Sequence, residues 1–332
     1  MQFRPPPDRM RPRILLSRCL ELAECRWDGG IVREPFVAKL LPYMDVVDAC
    51  PEIGIGLGVP RDPVRLVREA DGVTGMVQPA TGREPTAEIR RYAVDILDGA
   101  GELDGALLKS RSPSCGIREA KIYPTPEASA PVARGDGIFA AAVLMRLPAG
   151  LVTHEGRLRS FALRERWLTA VFTMARFREA ASECLRHRTA APLAGFQASH
   201  KLLLLALGRT GMERLGRIAA NPGRLRLEEL LARYRGELTS ALSGAASRGR
   251  TMDVLQHALG YFKRSVSPEE RAHFLELAAG YRAGRLPLSA CTAVLGSWIV
   301  RERQGYLAGQ VFFHPYPAGL VEISDSGGGR DL

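Results

Sequence analysis

Short apolar runs alternate with helix-period segments through the first 150 residues, and then the runs stop. Arg13–Ser17 (RILLS), Met44–Asp48 (MDVVD) and Gly105–Lys109 (GALLK) are too short for buried helices and read as strands. Between the last two, Glu84–Gly99 places Ile89, Ala93, Ile96 and Leu97 on one helical face. Strands separated by helices imply crossover connections, and these favour a mainly parallel sheet. Residues 124–134 (PTPEASAPVAR) read as a loop. Asp136–Met145 reads as a helix closing the domain, broken by Leu147-Pro-Ala-Gly150. Beyond residue 150 the β signal fades. Phe161–Arg186, Ser199–Leu207, Leu225–Ser243, Met252–Arg264, Pro268–Gly284 and Pro287–Arg303 read as helices punctuated by Gly and Pro. The expected architecture is an α/β N-terminal domain over 1–160, Rossmann-like with a mainly parallel sheet. A connecting helix over 161–189 leads to an all-α C-terminal domain over 190–320, with a disordered tail over 321–332.

Composition narrows the class. Of the 332 residues, 46% are hydrophobic and 25% charged, which excludes a disordered chain. No stretch approaches ~18 consecutive apolar residues, so a membrane span is not expected. The basic N-terminus has no apolar core of a secretory signal, so the expected location is cytoplasmic. There, six cysteines read as free thiols or metal ligands rather than disulfides. Residues 1–150 hold 20 Lys+Arg and 20 Asp+Glu, whereas 151–332 hold 26 and 16, so the whole excess of +10 lies in the second half. A neutral half joined to a basic one suggests that the first does chemistry and the second holds a polyanion. With 41 Arg against 5 Lys, a compositional bias toward Arg accounts for the excess equally well.

Cys19, Cys50 and Cys115 each lie just beyond the carboxyl end of an expected strand. In an open α/β sheet that edge is where ligands bind, so cysteines distant in sequence can converge there. Three thiolates suit a soft metal or an iron–sulfur cluster; three buried, inert cysteines are the alternative. Glu52 follows Cys50-Pro51, and Cys115 closes the polar loop Lys109-Ser-Arg-Ser-Pro-Ser-Cys-Gly116. A carboxylate and hydroxyls beside thiolates can move protons next to a Lewis acid. Helix-end charge (Glu52) and turn capping (Ser112, Ser114) are the plainer readings. Cys25 is close enough in sequence to reach the same place, and Cys184 and Cys291 read as core residues. No CxxC pair, P-loop or HExxH is present. Gly54-Ile-Gly-Leu-Gly58 is not a dinucleotide fingerprint, because it follows a turn and its third glycine comes one residue early.

These residues also carry a resemblance. Ser17-Arg-Cys19-Leu20, Arg26-Trp-Asp-Gly29, Cys50-Pro-Glu52, Val59-Pro-Arg61 and Lys109–Gly116, in that order, resemble the TudS family of thiouracil desulfidases. Ser199-His-Lys201, Gln256–Lys263, and Tyr306–Gln310 with Pro315-Tyr-Pro317 resemble the YbgA-type helical domain. In two-domain form the chain is similar to bacterial desulfidases that act on 4-thiouridine in tRNA. The resemblance implies a 4Fe–4S cluster held by Cys19, Cys50 and Cys115, with one iron not ligated by protein, and catalytic roles for Glu52 and Ser112. Arg26, Asp28, Arg61, Lys109 and Ser114 are candidates for binding the base or fixing the loops around it. Two departures stand out. Glu21-Leu-Ala-Glu-Cys25 replaces the Leu-Gly that many relatives have after Cys-Leu, and Trp27 stands where relatives usually have Tyr or Phe.

The implied reaction is a non-redox hydrolysis that releases sulfide and leaves uridine. The expected partner is tRNA containing 4-thiouridine, contacted through His200, Lys201, Arg209, Lys263 and Arg264, with Tyr261 and Phe262 as stacking or core aromatics. No membrane or protein partner is expected. Two other readings stay open: the same chemistry on free thiouracil, or a nucleic-acid-binding iron–sulfur sensor without catalysis. A fourth thiolate ligand, with Cys25 the candidate, would favour the sensor.

Overall fold

The computed structural model describes residues 10–68, 74–244 and 247–322. These form two compact units. One comprises Arg11–Val171 with residues 320–322; the other comprises Met10 with Phe172–Gly319.

The first unit runs β1 (Arg13–Ser17), α1 (Pro35–Leu40), β2 (Asp45–Ala49), α2 (Pro51–Gly54), β3 (Arg65–Arg68), β4 (Thr74–Val77), α3 (Thr86–Gly99), β5 (Gly105–Leu108), β6 (Ala120–Tyr123), β7 (Ala133–Gly135), α4 (Ile138–Arg146) and β8 (Val152–His154). Its main sheet has the order β2-β1-β5-β8, with every pair parallel. Ile14, Leu15 and Leu16 of β1 are all buried, as are all four residues of β5. Burial on both faces is what makes a central parallel strand read as an unbroken apolar run. Ile89, Ala93 and Leu97 of α3 join the same core as Phe139, Ala140 and Val143 of α4. Ser17 lies opposite Ala49, and Leu16 opposite Leu107, so the carboxyl ends of β1, β2 and β5 are level.

A second sheet, β4-β3-β6-β7, is mixed and was not anticipated. Its strands are three or four residues long, and RLVR, AKIY and ARG place charge within them, so no apolar run marks them. β7 takes the end of the segment read as a loop. β8 lies beyond residue 150, where no strand was expected; three residues leave too short a pattern to read.

Helix α5 (Phe161–His187) is 27 residues long, and the division between the units falls within it. The second unit continues with α6 (Ala191–Leu207), α7 (Arg209–Ala219), α8 (Leu227–Ser243), α9 (Arg248–Gly260), α10 (Pro268–Arg282), α11 (Leu288–Arg301) and α12 (Gly305–Ala308). Helix α10 begins with a reciprocal capping box between Ser267 and Glu270 and Pro268 in its first turn. Helix α7 was missed because Gly208, Gly211 and Gly216 read as punctuation. Helix α9 stops at Gly260, so Tyr261, Lys263 and Arg264 follow its end. Phe262 is buried with Phe274 and Trp298 in the core, which removes it as a stacking surface. Cys184 and Cys291 are buried core residues.

The expected tail begins too early. Glu322 accepts a hydrogen bond from Lys39 Nζ at 3.2 Å, and residues 323–332 lie outside the described residues. Among the described residues, no helix is long and apolar enough to cross a membrane.

Candidate active site

The level strand ends deliver Cys19 two residues beyond β1, Cys50 directly after β2, and Cys115 on the loop after β5. All three, together with Cys25, line one cavity of about 260 Å³. Ser17, Arg26, Trp27, Glu52, Arg61, Lys109 and Ser112 line it too.

Each cysteine is held by a differently built turn. After Cys19, Glu21 adopts φ 64°, a left-handed conformation that costs a side-chain-bearing residue some strain. Its carboxylate accepts the Glu34 N–H and an Arg33 N–H, the latter at 3.2 Å, which offsets that cost. Here Glu21 stands in the segment that departs from the relatives' Leu-Gly. Cys50 precedes α2, where Pro51 starts the helix and Glu52 sits in its first turn. Glu52 Oε2 accepts two bonds from Arg61, from Nη2 at 2.5 Å and Nε at 2.9 Å, while Oε1 accepts the Ser114 hydroxyl at 2.7 Å. The pair is nearly dry, with the Arg61 and Glu52 side chains 4% and 12% exposed.

The third turn is built around Ser112. Its Oγ accepts the N–H of Ser114 and of Cys115, each at 3.1 Å. The Ser114 carbonyl accepts the N–H of Phe139 and Ala140 at 3.0 Å, satisfying donors that the first turn of α4 would leave unpaired. A Cβ on Gly137 would lie 2.3 Å from the Ser114 carbonyl oxygen, and one on Gly116 2.6 Å from that of Ser112. The obstacles are backbone, so Gly137→Ala is expected to push the loop off α4. The expected cost is about 1–3 kcal/mol, read as a lower melting temperature. An unchanged melting temperature would contradict this packing.

The sulfurs sit in a poorly solvated place. Hydrogen bonding to Cys25, with burial adding, pushes the Cys50 thiol up, and burial pushes the Cys115 thiol up. The Cys50 thiol donates toward the Cys25 carbonyl at 3.9 Å, and the neighbouring Cys19 contributes most to raising the Cys25 thiol to about 11, with Cys50 opposing. Hydroxyls of Ser17 and Ser112 oppose the shift at Cys115. Thiols in such a setting ionise when a metal takes the place of the proton. Among the described residues, no three His, Cys, Asp or Glu side chains converge to hold a single metal ion. Thiolates bonded to separate irons of a cluster need not converge in that way.

Several of the residues expected to bind the base or fix the loops around it are engaged by neighbouring groups. Ser114 is fully buried and serves Glu52. Arg61 is taken by Glu52 and by the carbonyls of Cys25 and Gly58. Lys109 lines the cavity but is paired to Glu155 at 2.5 Å. Burial acts to raise Glu155, but Lys109 and Ser110 together hold it below the usual carboxylate range. Asp28 does not line the cavity; it accepts the Gly30 N–H and Arg26 at 3.1 and 3.2 Å. Glu155 and the cavity-lining role of Trp27, 48% exposed, were missed. Glu155 falls at the end of β8, which had itself escaped notice, and Trp27 had been read only as a substitute for Tyr or Phe.

The basic candidates in the helical unit separate as well. Lys201, Arg209, Lys263 and Arg264 are exposed. His200 is not a surface contact: it is 2% exposed, with its ring stacked 3.8 Å from that of Phe196.

Residues 14–155 match the family model described as 2-thiouracil desulfurase. Over 109 residues the chain is 32% identical to YbbK of Bacillus subtilis, covering 31% of this chain and 72% of YbbK. The chain belongs to the 2-thiouracil desulfurase family. The desulfurase match includes Cys19, Cys50, Glu52, Ser112 and Cys115, and ends at Glu155. Residues 201–317 match a second model, described as a protein of unknown function, DUF1722. Over 140 residues the chain is 26% identical to YbgA of Escherichia coli K12, covering 42% of this chain and 82% of YbgA. A solved structure, the 4Fe-4S-dependent thiouracil desulfidase TudS, is 27% identical, covering 45% of this chain and 93% of that one, with a TM-score of 0.35.

Proposed function

We propose that this desulfurase-family protein is an iron–sulfur-dependent desulfidase that replaces the sulfur of 4-thiouridine in tRNA by oxygen. The observation that carries the chemical part is the grouping of Cys19, Cys50 and Cys115 around one cavity beside Glu52. The donor set suits a cluster: three sulfurs, on three separate turns, in a poorly solvated wall. Cys19, Cys50 and Cys115 would hold it. Bound there, a 4Fe–4S cluster with one iron free of protein ligands supplies a thiophilic acceptor for the thione sulfur.

The remaining work falls to side chains. A carboxylate offers about four acceptor positions. Arg61 occupies two on Glu52 Oε2 and Ser114 one on Oε1, so Oε1 keeps a position for a proton from water. The water oxygen bonds to the thiocarbonyl carbon, the carbon–sulfur bond breaks, and sulfur departs as sulfide while a carbonyl remains. Thiocarbonyl plus water gives carbonyl plus hydrogen sulfide, so no electrons are exchanged with a donor. Ser112 has both lone pairs engaged by backbone N–H groups, which leaves its hydroxyl as a donor. It can steady the ring nitrogen or the oxygen developing on the carbon. Arg61 and Ser114 are positioning residues. Trp27 offers a flat apolar wall for the base.

A thiolated base in folded tRNA is stacked, and extruding it costs a few kcal/mol that other contacts must recover. The helical unit presents such a surface. Tyr261 and Tyr306, 41% and 38% exposed, stack at 5.3 Å, with His257 edge-on to Tyr261 at 5.6 Å and the exposed Lys263 and Arg264 close in sequence. Exposed aromatics beside cations bind bases and backbone together. A second reading, free thiouracil, is favoured by a cavity lined wholly by residues of the α/β unit.

The two readings separate in one experiment. Replacing both Tyr261 and Tyr306 by alanine is expected to weaken tRNA binding about 5- to 150-fold, at ~1–3 kcal/mol per stacked base. Turnover of free 4-thiouracil by the same variant is expected to stay at the parental level. Wild-type tRNA affinity in the double variant, or affinity indifferent to salt, would favour the free base.

A further inference from the structure

The helical unit contains a second cavity, of about 340 Å³, walled by α5, α6 and the segment at the end of α12. Arg176, Phe196, Ser199, His200 and Gln310 line it, with Glu179 and Glu183 alongside. None of these residues takes part in the reaction proposed above, and the inference does not depend on it.

One side chain in this wall lacks part of what burial demands. His200 Nδ1 lies 2.8 Å from the Phe196 carbonyl, an acceptor, so Nδ1 carries the proton and donates it. Nε2 is then an acceptor, and among the described residues it has no hydrogen-bond partner. Burial, with Arg176 adding, holds His200 down to about 3, so the ring is neutral at physiological pH. A buried acceptor left without a donor costs about 1–3 kcal/mol, which a ligand can recover. Arg176 lines the same cavity. Its guanidinium donates to the Pro315 carbonyl at 2.7 Å and toward the His314 carbonyl at 3.5 Å, two of its five N–H groups. Burial lowers it to about 10.

The rest of the wall narrows the ligand. Glu183 is engaged by Arg186 at 2.7 Å and His187 at 3.1 Å, and Glu179 is exposed at the rim, so the surroundings disfavour an anion. Gln310 is spent on the backbone, accepting the Leu202 N–H and donating to the Ala198 carbonyl. Phe196 and Pro192 provide apolar surface. What remains is a donor, the guanidinium, and an acceptor, the imidazole, in the wall of one small cavity. Their complement is a neutral flat ring with a carbonyl beside an N–H.

We propose that the Arg176–His200 cavity binds the lactam edge of an oxo-nucleobase, of the uracil or guanine type. Arg176 donates to its carbonyl and His200 Nε2 accepts its ring N–H. The base comes from a free nucleoside or from a nucleotide of an RNA chain, and the test distinguishes the two.

The full-length protein would be titrated calorimetrically with uridine, guanosine, cytidine and N3-methyluridine, then with short single-stranded oligo-U and oligo-C. Uridine or guanosine is expected to bind about ten-fold or more tightly than cytidine or N3-methyluridine, which lack the ring N–H. His200→Phe keeps an aromatic ring against Phe196 without the acceptor and is expected to abolish that preference. Arg176→Met is the second variant, used if the first lowers the melting temperature. Binding of nucleosides assigns the free ligand; binding of oligo-U alone, over oligo-C and sensitive to either variant, assigns RNA. Failure of every ligand to bind, equal binding of uridine and N3-methyluridine, or a preference untouched in both variants would overturn the proposal.

Discussion

Cys115→Ala is expected to leave a folded protein that retains little iron and does not desulfurise any thiolated base. The side chain is small and its removal from the core leaves only a modest gap, so the effect on folding is minor beside the effect on the site. With one of three thiolates gone, the two remaining turns offer only two ligands. Iron and sulfide content after anaerobic reconstitution, measured with the melting temperature, separates loss of ligand from loss of fold. Cys25→Ala is the matched control. Cys25 lines the same cavity, yet three-cysteine ligation makes it dispensable, so that variant keeps its iron. Iron lost from Cys25→Ala would instead mean a closed, four-thiolate site and would favour the sensor reading.

Glu52→Gln is expected to lower kcat by about 10²- to 10⁴-fold while iron content stays unchanged, the range lost with a general base. The amide is nearly isosteric and cannot take a proton from water. It also leaves the buried Arg61 guanidinium without its counter-charge, and removing one partner of such a pair costs about 3–5 kcal/mol of stability. The carbonyls of Cys25 and Gly58 still accept from Arg61 and soften that loss. Rates are therefore compared well below the variant's melting temperature. Wild-type kcat in Glu52→Gln would remove Glu52 from the chemistry and leave it a positioning role for the Ser114 loop.

The parts of the molecule that could be read from sequence are those with a strong local signal. β1, β5 and α3 show runs or faces that only burial explains, and the ends of β1, β2 and β5 set where Cys19, Cys50 and Cys115 emerge. The second sheet could not be read because its strands are short and charged, and their pairing with distant segments is a tertiary fact. β8 failed for the same reason and took Glu155 with it. The chemistry of Arg61, Lys109 and Ser114 was legible as residue type but not as commitment. A basic or hydroxyl residue in a polar loop looks equally suited to substrate or to a neighbouring carboxylate, and only the fold shows Glu52 and Glu155 within reach. His200 misled because a Ser-His-Lys triplet looks exposed, whereas the helical period turns His200 inward and leaves Lys201 outside.

The decisive measurement is anaerobic. Cluster-reconstituted protein would be mixed with tRNA carrying 4-thiouridine, and loss of the thiocarbonyl near-ultraviolet absorbance followed together with sulfide release. The expected result is one sulfide released per thiocarbonyl lost, no activity without reconstitution, and no requirement for a reductant. Unchanged absorbance with the cluster intact, or turnover equal in cluster-free protein, would contradict a cluster-dependent tRNA desulfidase.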